Sequence, residues 1–153
     1  TERRRIGSGR TGAGGNWTEF NQNGNEFLWS TAILDVDATN PGTAAVTRTL
    51  TVPTGVIVNA LINVVQVNTG AAVSPGFYGS ALVQSDQAAS ISAAPLVQIG
   101  ETFGSGSNKD AGVYLIIQTN TSAQIRTRLA ASDGSVILRM ATLGWIDPRG
   151  RDN

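Results

Sequence analysis

The chain has no histidine, no cysteine and a single lysine, and charged residues make up 14% of its 153 positions, against about 25% in an ordinary globular chain. Each shortage removes a class of chemistry. Without cysteine there is no thiolate nucleophile and no disulfide. Without histidine there is no imidazole base for a Ser-His-Asp site, and the two absences together exclude an ordinary zinc, copper or haem centre. The redox compartment stays undecided. Aromatic residues are also few, at 6%. No apolar run reaches the roughly 18 residues of a helical membrane span. Thr1-Glu2-Arg3-Arg4-Arg5 leads into Gly and Ser, so it does not read as a secretory leader, and one removed ahead of Thr1 stays open. The length fits one domain, large enough to bury about 68–70% of its unfolded surface without a staple.

The net charge is zero, but it is unevenly spread. Residues 1–15 hold Arg3, Arg4, Arg5 and Arg10 against Glu2, a net of +3, which leaves −3 on residues 16–153. The same fifteen residues contain five glycines, whose backbone entropy opposes helix or strand. Residues 1–25 are therefore expected to be an extended basic arm on a mildly acidic body. Neither nucleic acid nor membrane is expected as a partner, because no global positive field draws the chain to them.

What remains is β-like. Residues 45–52 alternate, with Val46, Leu50 and Val52 on one face and Thr47, Thr49 and Thr51 on the other. Pro53-Thr54-Gly55 is a turn. Residues 56–68 form a long β-branched run, and residues 26–37, 77–84, 96–103, 112–119, 123–130 and 135–146 read as further strands. Asn120-Thr121-Ser122 and Ser132-Asp133-Gly134 look like hairpin turns. The only helix expected is a turn or two near Asp86–Ser92. Eight short, regularly spaced strands predict an all-β fold, an eight-stranded jelly-roll-like β-sandwich over residues 26–147, with an extended N-terminal arm and a short tail at 148–153. An immunoglobulin-like sandwich is the competing architecture.

No motif implies catalysis or a cofactor. Gly7-Ser-Gly-Arg-Thr-Gly12 matches G-x-G-x-x-G, but lacks the preceding strand and following helix that a dinucleotide site needs. Asp35, Asp37 and Asn40 offer oxygens to calcium without EF-hand spacing. As strand neighbours, Asp35 and Asp37 are expected on one solvent-facing edge. Asp110, Asp133 and Asp147 read as turn residues, not as a glycosidase pair. The sequons at Asn16 and Asn120 carry no weight without a secretory context. Arg126 and Arg128 share a strand face that is either ordinary solvent surface or an interface ladder. Arg outnumbers Lys ten to one, which leans toward interface use. Arg48 and Arg139 need partners if buried. Trp145 either anchors the exit of the last strand in the core or meets a neighbouring subunit.

Arg48-Thr-Leu-Thr-Val-Pro-Thr-Gly55, the small-residue β body and the ending Gly144-Trp-Ile-Asp-Pro-Arg-Gly-Arg151 resemble small virion proteins of tailed bacteriophages, most of all the capsid decoration or cement proteins. The resemblance spans residues 46–151 in style, and the arm is similar to the clamping arms of that class. It implies a non-enzymatic protein on the capsid surface of the virion, a dimer or trimer bound to the major capsid protein. Arg3, Arg4, Arg5, Arg10 and Trp17 would then meet the shell, with Arg126, Arg128, Trp145, Arg149 and Arg151 as subunit-interface candidates. The alternative is a receptor-binding knob of a tail fibre or needle, recognising a glycan or protein through loops 70–79, with Phe77 and Tyr78, and 104–112.

Overall fold

The computed structural model describes residues 11, 14–70, 76–86, 97–99 and 109–147. Nine strands lie among them: β1 (Phe20–Asn23), β2 (Glu26–Thr39), β3 (Val46–Thr49), β4 (Asn59–Asn68), β5 (Phe77–Ala81), β6 (Val97–Ile99), β7 (Lys109–Gln118), β8 (Gln124–Leu129) and β9 (Val136–Ile146). No helix occurs among the described residues. The helical turn expected near Asp86–Ser92 lies outside them beyond Asp86, as do residues 96 and 100–103 of the strand expected at 96–103.

The strands form two antiparallel sheets, ordered β1-β2-β9-β4-β7 and β3-β8-β5-β6. With β1 set aside, the pairings β2 with β9, β3 with β8, β4 with β7 and β5 with β6 describe one long hairpin, its tip at β5–β6. The added pairings β4 with β9 and β5 with β8 roll that hairpin into two facing sheets. This order is the jelly roll, and the immunoglobulin arrangement is excluded by it. The strand boundaries fall close to those expected, with two corrections. Residues 20–23, assigned above to the arm, are a strand, joined to β2 by the two-residue loop Gly24-Asn25. The turns at 120–122 and 132–134 do not close hairpins, because each carries the chain from one sheet to the other.

Alternation explains the sandwich. In β8, Ile125, Thr127 and Leu129 are buried while Gln124, Arg126 and Arg128 are only half-buried. Facing them from β4 and β9 are Ala60, Ile62, Val64, Leu138 and Met140, all in one core cluster. Full burial of side chains of this size contributes roughly 1.5–3 kcal/mol each. At one end of the core four aromatics cluster. Phe27 stacks on Trp145 with ring centroids 4.9 Å apart, Trp29 lies 4.9 Å from Trp145, and Phe20 of β1 lies 5.8–6.1 Å from all three rings. The Trp29 indole N–H donates to the Thr51 carbonyl at 3.0 Å. Trp145 is 0% exposed, so its place among the interface candidates is corrected: it is a core residue, held there by stacking against Phe27.

Next to Trp145, Gly144 lies where β9 runs hard against β2. A Cβ at this position would come within 2.0 Å of the Phe27 carbonyl oxygen and 2.9 Å of Leu28 Cα. Only glycine permits that approach. Gly55 takes the positive φ (77°) expected of its turn.

Candidate functional site

Of the arm residues, Arg3, Arg4, Arg5 and Arg10 lie outside the described residues, as do Arg149 and Arg151 and all three glycines of the G-x-G-x-x-G match, Gly7, Gly9 and Gly12. Trp17 is described. It forms an isolated bridge with Thr11 and is 73% exposed, the most exposed aromatic among the described residues.

Arg126 and Arg128 project from β8 onto the outer face of the four-stranded sheet, where the chain itself engages them. Arg126 Nη1 donates to the Gln84 carbonyl at 2.7 Å, and Arg128 Nη2 pairs with Asp86 Oδ2 at 3.3 Å. The segment following β5 thus returns over this face. Their β5 neighbours, Ser80 and Tyr78, are buried although they share that outward side. Phe77, on the opposite side of β5, lies in the core. Loop residues carrying a glycan site would need to be accessible, so Phe77 and Tyr78 are corrected from that role to buried strand residues. Of the two loops proposed for it, residues 71–75 and 104–108 lie outside the described residues.

The acidic residues do not converge. The Asp35–Asp37 expectation is corrected by a register shift between Leu34 and Val36. The bulge turns Asp35 inward, where its carboxylate accepts from Thr51 N (2.7 Å), Thr51 Oγ1 (2.6 Å) and Thr142 Oγ1. Asp37 stays outside and pairs with Arg139 at 3.2 Å. Asn40 Oδ1 accepts from Ser132 Oγ at 2.8 Å. The three calcium candidates therefore serve three separate contacts. Among the described residues no three acidic side chains gather as a metal site would require. Asp133 Oδ1 caps its turn by accepting from Ser135 N. Asn120 Oδ1 accepts from Ser122 N and Gln124 N, both at 2.9 Å, which makes this sequon an Asx turn. Arg48 is half-buried on the inward side of the edge strand β3, and burial lowers its pKa.

The feature that residue-by-residue reading missed is the outer face of the five-stranded sheet. The register lines its outward residues up in rows across β2, β9, β4 and β7. The two central rows are Leu34–Ala141–Asn63–Tyr114 and Leu28–Gly144–Leu61–Ile116. Leu28, Leu34, Tyr114 and Ile116 are 40%, 55%, 51% and 51% exposed. Val65, Val67, Ile137 and Ile146 extend the apolar surface above and below. Charge lies outside these two rows: Glu26 in the row beyond Leu28, the Asp37–Arg139 pair in the row beyond Leu34, and Asp110 in the row after that. The Tyr114 hydroxyl titrates higher than usual because of burial, then because of Glu26. A signal for this face existed. Residues 61–67 and 136–146 are apolar at both odd and even positions, the pattern of strands covered on both sides.

No protein-family model matches the chain, and no curated protein is similar to it.

Proposed function

We propose that this chain is a structural protein of a virion, a capsid decoration or cement protein. It binds the outer surface of the shell, associates with itself as a dimer or trimer, and bridges neighbouring major capsid subunits without catalysing a reaction. The observation that supports this most is the division of the chain into a net +3 glycine-rich leader and a jelly roll of net −3 without His or Cys. A sandwich of this order serves in viral shells. A cationic, glycine-rich segment laid along a neighbour's surface would make charge-assisted hydrogen bonds to carboxylates. Repetition over a lattice converts weak contacts into avidity. The exposure of Trp17 supports it as a further contact of the arm.

The test removes residues 1–15 and mixes the truncated and full-length chains with undecorated capsids. Co-sedimentation of the truncated chain should fall at least tenfold. Equal occupancy overturns the bridging role, and binding of the isolated body to cells or glycans would favour the tail-knob alternative.

A further inference from the structure

We infer that the outer face of the five-stranded sheet is where two copies of this chain pack, sheet on sheet, about a two-fold axis. This deepens the self-association proposed above by assigning it one surface and one stoichiometry. Solvent-facing sheets alternate apolar inside and polar outside, and this one does not. Its two apolar rows carry Leu28, Leu34, Tyr114 and Ile116, and its four described charges stand in the rows flanking them. An apolar middle inside a charged rim is the anatomy of an interface.

Area and charge point to a second copy as the occupant. Four strands about 4.8 Å apart and about 34 Å long give on the order of 650 Å² of flat surface. Side-chain relief brings that near the roughly 800 Å² per partner of a standard stable complex. An axis lying across the strands sets each strand antiparallel to its own copy and exchanges the two ends. Glu26, which has no ion-pair partner among the described residues, then comes over the partner's Asp37–Arg139 end. There a second carboxylate completes the pairing of a half-exposed guanidinium. The axis then falls between the two apolar rows, and Leu34–Ala141–Asn63–Tyr114 of one copy faces Leu28–Gly144–Leu61–Ile116 of the other.

The full chain, free of capsids, is examined by sedimentation equilibrium at micromolar concentrations. The wild type should be a dimer, and Ile116→Asp should raise the dissociation constant at least tenfold with unchanged far-UV circular dichroism. Because the sequence has no cysteine, Asn63→Cys supplies a unique thiol. Sheets stack roughly 10 Å apart, so a bismaleimide of that span should join two copies, even if Ile116→Asp fails to fold. A monomer at about 50 μM, a trimer, or a dimer that Asn63→Cys does not cross-link overturns the proposal. Edge-to-edge pairing of two β7 strands would give that last result. These readouts need no capsid, so their failure is separable from failure of shell binding.

Discussion

Asp35 shows how one inserted residue reassigns a side chain. Strand alternation would put it beside Asp37 in water, but the bulge before Val36 swings its carboxylate between the sheets. There it ties β2 to the Thr51 backbone and hydroxyl and to Thr142 of β9. Hydrogen bonds to a charged acceptor are each worth roughly 1.5–3 kcal/mol, and removing the acceptor strands its donors. Asp35→Ala should therefore destabilise the fold by about 3 kcal/mol. Asp37→Ala gives up only the half-exposed pair with Arg139 and should cost under about 1 kcal/mol. Urea unfolding of the two variants decides: equal midpoints would mean that Asp35 is not a clamp.

At the scale of elements, β1 is the strand whose worth is easiest to isolate. It adds one edge to the larger sheet, and Phe20 closes the aromatic cluster over Phe27, Trp29 and Trp145. Removing residues 1–24 should cost about 3 kcal/mol relative to removing 1–15, a fall in Tm of about 10 °C. Matching melting curves for the two truncations would show that β1 is ornamental. This strand also marks where the sequence stopped being legible. The eight strands after it could be read from alternation at 45–52, from β-branched and apolar runs elsewhere, and from their Pro-Gly and Asx breaks, because those signals are local. β1 is four residues, mostly polar, and its signal was the dipeptide Gly24-Asn25. Turns at 120–122 and 132–134 have hairpin chemistry, but local chemistry does not say which sheet the next strand joins. The face shared by Arg126 and Arg128 is legible in the alternation of β8, but their capture by Gln84 and Asp86 depends on a chain reversal some forty residues away. Trp145 was ambiguous because its stacking partner, Phe27, lies more than a hundred positions earlier.

At the scale of the whole molecule, the separation of charge dictates a salt dependence. If the +3 leader holds the chain to an acidic surface, raising ionic strength from about 0.05 M to 0.5 M shortens the screening length several-fold. Capsid occupancy of the full-length chain should drop with it, while the stability of the free body, built on apolar burial, should not. Occupancy unaffected by salt would argue for an apolar mode of attachment through Trp17. The position of β9 carries a further consequence. It is the last of the described strands, yet it lies in the middle of the larger sheet, between β2 and β4. On the ribosome, β2 and β4 must each wait with a vacant edge, and β2 meets its inner neighbour only after roughly a hundred further residues have emerged. Closing so long a loop is slow. A premature stop anywhere upstream of residue 136 deletes the centre of the sheet, not its margin, so such fragments should be fodder for proteases instead of shortened but serviceable versions of the protein.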